Sequence, residues 1–179
     1  LGKMLLFDTR KFDIQTYVLD PSPEAPSRMA CNQFFQGSLM DYDTVYNFGK
    51  QVDVLTFEIE LVNLEALEQL EMEGVKVYPS PKTLRGIQNK GRQKAFYREN
   101  NLPTSDFSYF ISLKDLIVSL LESKVTVPLV WKSTEFGYDG NGVKIVREAI
   151  DLENLPDVEC IAEELVLFKN ELAVIVVRS

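Results

Sequence analysis

The sequence predicts an α/β protein in which helices are wound around a parallel sheet. Short apolar strands alternate with helical segments through residue 80, an order typical of parallel sheets. Of the 179 residues, 45% are hydrophobic and 26% are charged, enough to bury a core as one domain or two small ones. A glycine-rich hairpin between two β-rich runs then indicates a small α+β segment in the second half.

The first half of the chain alternates helices and strands. Apolar residues at helical spacing predict a helix near 1–11, and Gly74 marks the end of a later one. The other predicted elements are a strand at 14–19, a helix at 43–51, a strand at 52–57, a helix at 63–73 and a strand at 75–78. Asp20, Glu58 and Glu60 follow strands, where wound sheets usually bind ligands. From position alone, solvated loop acids explain them equally well.

The second half begins with a predicted helix from Ser80 to about Asn100. Ser80 and Pro81 suit its N-cap and first helical position, while Lys90 and Lys94 share one face. Such a lysine pair is more often solvated than functional. The elements that follow are a strand at 106–111, a helix at 113–123, the hairpin, a short helix at 148–154 and strands at 160–166 and 172–177.

Composition excludes several classes of function. The net charge of −8 and the pI near 4.7 argue against broad binding to nucleic acid or to an anionic membrane. The sequence contains no histidine, which removes the Ser-His-Asp triad and the commonest zinc ligand. Cys31 and Cys160 form no CxxC pair, and neither a secretory signal nor an apolar run of about 18 residues occurs. We therefore expect a cytoplasmic location and chemistry based on carboxylates, lysine, backbone amides and hard cations.

The most informative segment is the glycine-rich hairpin at 137–142, five residues after Lys132. Its Asp-Gly and Asn-Gly pairs tolerate positive φ, so the chain can reverse tightly and turn several backbone N–H groups outward. Such N–H groups can hold phosphate oxygens, and the nearby lysine adds a positive charge. The segment therefore predicts a phosphate site, although an ordinary surface hairpin has the same pattern.

A series of motifs extends this hypothesis to the whole chain. They lie at 1–5, 18–21, 53–60, 78–81, 88–90 with Lys94, 137–142 and 171–176. In this order they resemble the ATP-grasp superfamily and, within it, the 5-(carboxyamino)imidazole ribonucleotide synthases, along essentially all 179 residues. The fold implied by the resemblance is a Rossmann-like pre-ATP-grasp domain, then an ATP-grasp lid subdomain and the start of the central ATP-grasp sheet.

The resemblance also implies a division of the chain. The implied ranges are 1–80 for the Rossmann-like domain, 81–103 for a connecting helix, 104–162 for the lid and 163–179 for the beginning of the last subdomain. The first strand and a later carboxyl-terminal part are expected to be missing, so the chain reads as an incomplete portion of a larger enzyme. Magnesium ligands are expected in that later part, and none is assigned within these residues.

The activity implied by the resemblance is that of a carbon–nitrogen ligase. ATP activates bicarbonate as carboxyphosphate, which carboxylates the amine of 5-aminoimidazole ribonucleotide in purine biosynthesis and leaves ADP and phosphate. Mg²⁺ is implied beside ATP. A homodimer and functional coupling to the mutase that acts next are also expected, with neither nucleic acid nor membrane as a partner.

The nucleotide-binding residues are carried over from the same resemblance. They are Lys90, Lys132, Gly137, Tyr138, Asp139, Gly140, Asn141, Gly142, Val143, Glu163, Glu164, Leu165, Val166 and Glu171. The two lysines and the hairpin would grip the phosphates. The segment 163–166 would line the adenine through backbone donors and acceptors, and Glu171 would hold the ribose hydroxyls.

The implied catalytic residues are Asp139, Tyr138, Glu58 and Glu60. Tyr138 and Asp139 resemble positions that touch the aminoimidazole, and Asp139 would accept a proton from its amine. Either Glu58 or Glu60 would be the substrate-side carboxylate, and the resemblance does not choose between them.

Three other interpretations stay open. Another ATP-grasp carboxylase or ligase would share the lysine and the hairpin but act on a different acceptor; the motif at 53–60 and the Tyr138-Asp139 pair favour the purine enzyme. A dinucleotide-dependent oxidoreductase is disfavoured because the sequence has no complete G-x-G-x-x-G motif. The third interpretation is a non-catalytic fragment that binds nucleotide or dimerises through its apolar strands.

Overall fold

Parallel strand pairs and an antiparallel sheet occupy different halves of the chain. The computed structural model describes residues 2–135, 142–174 and 176. The chain divides into two units, Leu1–Gln88 and Asn89–Ser179. Each unit is built around its own cluster of buried apolar side chains.

The first unit alternates helices with short strands. Its elements are α1 (Gly2–Thr9), β1 (Tyr17–Asp20), β2 (Gln33–Gln36), α2 (Tyr42–Gly49), β3 (Val54–Thr56), α3 (Leu64–Met72), β4 (Lys76–Tyr78) and α4 (Pro81–Ile87). Strand β1 pairs in parallel with β2, and β3 pairs in parallel with β4. Helix α3 makes the crossover between β3 and β4, a connection that parallel neighbours need. The predicted α/β class and its parallel pairing are confirmed.

Side-chain caps mark where three helices of this unit, α2, α3 and α4, begin. Asp41, Asn63 and Ser80 each accept a hydrogen bond from the backbone N–H three residues on, at 2.8, 2.9 and 3.3 Å. These bonds satisfy donors that the first turn of a helix leaves unpaired. Gly74 follows α3 with φ at +96°, a conformation that favours glycine. The predicted helix starts at Asn63 and Ser80 and the stop at Gly74 are confirmed.

Aliphatic and aromatic side chains from helices and strands form the core of the first unit. Its buried members are Val45, Phe48, Leu55, Val62, Ala66, Leu67, Leu70, Val77 and Leu84. Helices α2 and α3 approach closely at Gly49, where an added Cβ atom would collide with the side chain of Leu70. The absence of a side chain at Gly49 therefore allows the two helices to pack.

Strand β2 is not predicted by the sequence pattern. The pattern also predicts that β1 begins at residue 14, whereas the strand begins at Tyr17. The segment Gln-Phe-Phe-Gln is short and does not alternate apolar with polar residues, so it lacks the usual strand pattern. Its position beside β1 depends on Asn32, whose Oδ1 accepts hydrogen bonds from the backbone N–H and the hydroxyl of Thr16, both at 2.8 Å. These contacts lie 16 residues apart in the chain, so no local pattern predicts them.

The second unit contains a four-stranded antiparallel sheet in the order β5-β8-β6-β7. Its elements are α5 (Lys90–Glu99), β5 (Phe107–Phe110), α6 (Leu113–Leu121), β6 (Leu129–Ser133), β7 (Val143–Val146), a 3-10 helix (Ala149–Leu152) and β8 (Cys160–Glu164). Strands β6 and β7 are antiparallel neighbours, with Lys132 opposite Val143. The predicted α+β organisation and the two strands of the hairpin are confirmed.

The two faces of this sheet differ in character. One face carries the core, whose buried members are Phe110, Leu113, Leu116, Leu129, Trp131, Val146, Leu152, Cys160 and Ala162. Because successive side chains along a strand point to opposite faces, Lys132 and Glu163 lie on the face away from this core. Helix α5 lies on that second face, where a Cβ atom at Gly91 would come within 3.2 Å of the Tyr109 ring.

The single helix predicted from Ser80 to Asn100 is wrong, because the segment forms two helices. Asn89 has an extended backbone, with φ at −120° and ψ at 110°. Its side chain begins α5 by accepting a hydrogen bond from the backbone N–H of Arg92 at 2.9 Å. A residue of the kind that caps helices thus interrupts an apparently continuous helical pattern.

The strand predicted at 172–177 is wrong over the part of that segment that the structure describes. Leu172, Val174 and Val176 are 89%, 84% and 82% exposed, and none belongs to a strand. An apolar run suits a buried strand only where neighbouring strands pair with it. Strand β8 also ends earlier than predicted, at Glu164.

Candidate functional site

Three charged side chains converge on the face of the second unit's sheet that carries α5. Lys94 comes from α5, Lys132 from β6 and Glu163 from β8. The Lys132 ammonium lies 2.8 Å from Glu163 Oε2, and the Lys94 ammonium lies 3.4 Å from Glu163 Oε1. Two cations therefore share one carboxylate, and we call these three side chains the Lys-Glu-Lys cluster.

The members of the cluster differ in their exposure to solvent. The side chains of Lys94 and Glu163 are 9% and 7% exposed, whereas that of Lys132 is 27% exposed. Buried charges are costly unless they are paired and hydrogen-bonded. Lys94 and Glu163 therefore depend on their partners, while Lys132 is the member best placed to meet a ligand.

The Lys94 ammonium is fully engaged by neighbouring oxygens. It donates to Thr104 Oγ1 at 2.6 Å, to Ser105 Oγ at 2.7 Å and to the Ser105 carbonyl at 3.3 Å. An ammonium has three N–H groups, so these oxygens and Glu163 account for all of them. These contacts consequently fix the position of the Lys94 ammonium.

Opposing influences act on the Glu163 carboxyl. Burial by itself raises its pKa, because a buried carboxylate loses hydration. The hydrogen bond and charge of Lys132, the charge of Lys94 and the hydroxyl of Ser105, which donates at 3.0 Å, outweigh burial and hold the pKa of Glu163 below its ordinary value. Glu163 is therefore ionised at neutral pH, and the cluster carries two positive charges against one negative charge.

A further cation lies beside this cluster. Phe107 stands opposite Glu163 in the sheet register. The Phe107 ring centroid is 5.7 Å from Lys94 Nζ and 4.8 Å from Arg98 Cζ. The face of an aromatic ring attracts cations, which favours this placement. This part of the sheet is thus locally positive although the chain is acidic overall, and it is suited to an anionic ligand.

The stem of the predicted phosphate hairpin is present. The backbone N–H of Ser133 donates to the Gly142 carbonyl at 2.9 Å, and Gly142 has φ at +67°. Val143 follows as the first residue of β7. The predicted site residues Gly137, Tyr138, Asp139, Gly140 and Asn141 lie outside the described residues. Their roles stay predictions.

The predicted adenine and ribose residues lie at and beyond the end of β8. Glu163 is buried within the strand and Glu164 is its exposed last residue. Leu165 and Val166 follow the strand, and Glu171 is exposed in a segment without regular structure. Their roles in nucleotide binding stay predictions, although the strand end supplies backbone groups of the required kind.

Lys90 occupies the first position of α5. Its backbone N–H donates to the Thr134 carbonyl at 2.8 Å, just after β6 ends at Ser133. This bond ties the start of α5 to the strand that carries Lys132. The phosphate contact predicted for Lys90 stays a prediction.

The acidic candidates of the first unit lie where the pattern placed them. Glu58 and Glu60 are both exposed in the loop between β3 and α3. The side-chain amide of Gln88 donates to the carbonyl groups of Glu60 and Val62, at 2.7 and 3.1 Å, and so supports this loop. Asp20 accepts from the Ser22 N–H at 2.8 Å, a turn contact. The substrate role of Glu58 or Glu60 stays a prediction.

Sequence reasoning missed the part that Lys94, Thr104 and Ser105 play around Glu163. A signal was present, because Glu163 sits inside the apolar run Cys-Ile-Ala-Glu at the start of β8. A charge inside a strand that is otherwise buried requires a partner of opposite charge. The identity of that partner depends on the packing of α5 against the sheet.

The described residues contain neither a cluster of potential metal ligands nor a helix that could span a membrane. The residues at 2–135, 142–174 and 176 contain no group of three or more His, Cys, Asp or Glu side chains that could hold a metal ion. Within the same residues, no helix is long and apolar enough to cross a lipid bilayer.

Family models match both units. A ribonucleotide synthetase preATP-grasp domain model matches residues 1–88, and an ATP-grasp domain model matches residues 95–179. The first match ends at the boundary between the two structural units. The Lys-Glu-Lys cluster lies in the second unit, and all of it but Lys94, one residue before the match begins, lies within the ATP-grasp match.

Curated relatives align with the whole chain. The N5-carboxyaminoimidazole ribonucleotide synthase of Pseudomonas aeruginosa is 30% identical over 183 residues, which cover 100% of this chain and 50% of that protein. The phosphoribosylaminoimidazole carboxylase of Saccharomyces cerevisiae is 31% identical over 186 residues, which cover 100% of this chain and 33% of that protein. The chain thus spans half or less of the length of these relatives.

Solved structures share the fold. The N5-carboxyaminoimidazole ribonucleotide synthetase of Thermotoga maritima matches with a TM-score of 0.81 at 30% identity, over 94% of this chain and 44% of that one. The Aspergillus clavatus synthase, solved with ADP and 5-aminoimidazole ribonucleotide, matches with a TM-score of 0.80 at 30% identity, over 94% of this chain and 45% of that one.

Proposed function

The chain belongs to the ATP-grasp superfamily, and we propose that its protein carboxylates 5-aminoimidazole ribonucleotide at the expense of ATP. Bicarbonate is the carbon source, carboxyphosphate is the intermediate, and the products are 5-(carboxyamino)imidazole ribonucleotide, ADP and phosphate. The reaction is that of a carbon–nitrogen ligase in purine biosynthesis.

One observation carries this proposal. The Aspergillus clavatus structure holds both ADP and 5-aminoimidazole ribonucleotide, and its similarity extends over 94% of this chain. A match limited to the ATP-grasp domain would support nucleotide binding alone. A match that also includes the preATP-grasp domain supports the choice of acceptor, because the acidic candidates Glu58 and Glu60 lie in that domain.

Nucleotide binding is assigned to the positive face of the second unit. Lys132 is the more accessible cation of the Lys-Glu-Lys cluster and would meet phosphate oxygens as a point charge. Lys90 and the hairpin residues up to Val143 would add a second charge and backbone N–H donors. The strand end at Glu163 and Glu164 with Leu165 and Val166 would line the adenine, and Glu171 would accept from the ribose hydroxyls.

The chemistry consists of two substitutions. A bicarbonate oxygen attacks the γ-phosphorus of ATP and ADP leaves, which forms carboxyphosphate. The exocyclic amine of the ribonucleotide then attacks the carboxyl carbon, phosphate leaves, and Asp139 accepts the proton that the amine loses. Tyr138 and one of Glu58 and Glu60 would position the acceptor. Positioning and charge neutralisation supply most of the rate enhancement.

The proposed reaction also requires a metal ion, and the proposal extends to the oligomeric state and location of the protein. Mg²⁺ would accompany ATP, and bound Mg²⁺ neutralises phosphate charge during such transfers. None of the residues given above is assigned as a ligand of the metal. We further propose a homodimer in the cytoplasm that is functionally coupled to the mutase acting next.

The decisive experiment measures ADP release by the intact protein with Mg-ATP and bicarbonate, with and without 5-aminoimidazole ribonucleotide. Release that depends on the ribonucleotide supports the proposed acceptor. ATP binding without such dependence would point to another ATP-grasp ligase with a different acceptor. Absence of both ATP binding and ADP release would favour a non-catalytic fragment.

Two substitutions separate binding from chemistry. Lys132→Ala is expected to weaken ATP binding about tenfold or more, because it removes a phosphate-facing charge. Asp139→Asn is expected to lower turnover by about 10²-fold or more with little change in ATP affinity, because the amide cannot accept the proton. Isothermal titration and steady-state kinetics measure the two effects, with Lys114→Ala as a surface control. Equal ATP affinity in the wild type and Lys132→Ala would remove the phosphate role.

A further inference from the structure

Lys94 is a buried cation for which the proposed reaction has no use. Its side chain is 9% exposed, and its ammonium is held by Thr104, Ser105 and the Glu163 carboxylate. It is therefore too enclosed to meet ATP directly. A buried ammonium is costly and is retained only where its partners compensate for lost hydration. Its position at one oxygen of Glu163, with Lys132 at the other, indicates what it does.

The charge balance of the cluster depends on Lys94. With both lysines present, two positive charges face one carboxylate, so the Lys-Glu-Lys cluster carries one net positive charge. Without Lys94, the Lys132 ammonium at 2.8 Å would be the one remaining ion-pair partner of Glu163 among residues 2–135, 142–174 and 176. That pair would be neutral, and its attraction for an incoming anion would be largely cancelled at short range.

The position of the Glu163 carboxylate also depends on its contacts with Lys94 and Ser105. Ser105 Oγ accepts from Lys94 at 2.7 Å and donates to Glu163 Oε2 at 3.0 Å, so the hydroxyl links the two. Oε2 is also the atom that accepts from Lys132. A chain of contacts thus runs from helix α5 through Ser105 and Glu163 to the exposed ammonium on β6.

We propose that Lys94 is a positioning residue of the nucleotide site. It anchors the Glu163 carboxylate, which in turn orients Lys132. It also supplies a second positive charge against Glu163, so the site keeps a net positive charge for phosphate. This inference rests on the proposed ATP-binding function of Lys132. Lys94 itself touches neither nucleotide nor substrate. A merely structural role would stabilise the fold without changing how Lys132 reacts.

The test uses the intact protein and four forms of it: wild type, Lys94→Met, Glu163→Gln and the double variant Lys94→Met/Glu163→Gln. Lys94→Met is expected to weaken ATP binding about tenfold, since it makes the net charge of the Lys-Glu-Lys cluster zero. The double variant again has one net positive charge. We expect it to recover ATP affinity to within about threefold of the wild type, although it lacks two members of the cluster.

A second readout does not require ATP. Competitive acetylation followed by peptide mass spectrometry reports the reactivity of the Lys132 amine, with exposed Lys76 as internal reference. In Lys94→Met, Lys132 faces the Glu163 carboxylate without the second lysine of the cluster, so we expect its acetylation to slow about threefold or more. In the double variant, acetylation should return to the wild-type rate or exceed it.

Lys114→Met is the matched control. Lys114 pairs with Asp157 at 3.0 Å in the same unit and its side chain is 82% exposed. This substitution changes the net charge of the chain by the same amount as Lys94→Met, so it accounts for long-range electrostatics. Circular dichroism establishes folding of each variant. Should Lys94→Met fail to fold, Ser105→Ala breaks the same link with a smaller change and is expected to alter Lys132 acetylation in the same direction.

The outcomes separate the two proposals. Unchanged Lys132 acetylation in Lys94→Met, or a double variant that binds ATP more weakly than Lys94→Met, would overturn the positioning role. Altered acetylation in a protein that does not bind ATP would refute the nucleotide function and leave the positioning of Lys132 by Lys94 standing. Weakened ATP binding with recovery in the double variant supports both.

Discussion

The two units of this chain use charged side chains in different ways. In the first unit, the pairs Lys50–Glu73 and Arg85–Glu68 join at 3.0 and 2.6 Å, with side chains between 31% and 51% exposed. In the second unit, Lys94 and Glu163 are 9% and 7% exposed. Exposed pairs contribute little to stability, whereas a buried pair is strongly destabilising when broken. The charged pairs of the first unit lie at its surface, whereas the Lys94–Glu163 pair of the second unit is buried and held in one geometry.

The cores of the two units do not share this difference. Leu70 in the first unit and Leu116 in the second are both 0% exposed among other apolar side chains. Each unit therefore has an apolar core of the ordinary kind to drive its folding. The buried Lys-Glu-Lys cluster is not explained by a need for stability, because hydrophobic side chains in its place would serve stability as well. Under the proposed function, the cluster positions Lys132 for the phosphates of ATP.

The largest effect expected from this comparison concerns Glu163. Glu163→Ala leaves Lys94 buried without its anion, and we expect a loss of about 3–5 kcal/mol in the free energy of unfolding. Urea denaturation measures the loss. The matched variant Glu73→Ala removes an exposed carboxylate that faces Lys50 and should change stability little. Similar losses in the two variants would contradict the distinction between surface and buried charges.

A somewhat smaller loss of stability is expected when one buried leucine is truncated in each core separately. Leu70→Ala and Leu116→Ala should each cost about 3 kcal/mol, from lost transfer energy and the cavity left behind. Peptide-resolved hydrogen exchange shows where protection is lost. We expect Leu70→Ala to affect peptides of residues 1–88 more than those of 89–179, and Leu116→Ala to do the reverse. Equal loss of protection along the whole chain in both variants would mean that the two cores unfold as one.

The smallest effect is the acid dependence of the buried carboxylate. Because the folded-state pKa of Glu163 is below its ordinary value of 4.5, its contribution to stability is present above about pH 4.5 and is lost as pH falls through the folded-state value. Glu163→Gln should lack this part of the acid dependence. The difference between wild type and variant, followed by urea denaturation from pH 7 to pH 3, should persist in 1 M salt, because a buried group is weakly screened.

Exposed Glu73 supplies the counterpart of that experiment. The side chains of Gln69, Lys50 and Tyr46 donate hydrogen bonds that lower the pKa of Glu73 to about 2. Its contribution is also lost on acidification, as pH falls toward about 2, and salt weakens it, since the group is exposed. A salt-sensitive difference for Glu163→Gln would contradict the burial of Glu163 that the comparison assumes.

Local patterns in the sequence determined much of this structure. Capping residues such as Asn63 and Ser80 mark helix starts because their side chains satisfy backbone donors next to them in the chain. The alternation of strands and helices in the first unit, and the antiparallel strands that flank the hairpin, also follow from short-range propensity and turn chemistry. The roles of Lys132 and residues 163–166 in nucleotide binding, which come from a family resemblance, stay predictions.

Tertiary structure decided the remainder. Strand β2 lies beside β1 with Asn32 bonded to Thr16, 16 residues away, and the side-chain amide of Asn89 donates to Glu135, 46 residues away. The sequence placed Glu163 on an apolar strand and Lys94 on a helix, but only the packing of α5 on the sheet brings their charged groups to 3.4 Å. The physical reason is range: caps and turns act over a few residues, whereas partners for buried charges and strands are chosen by contacts between distant segments.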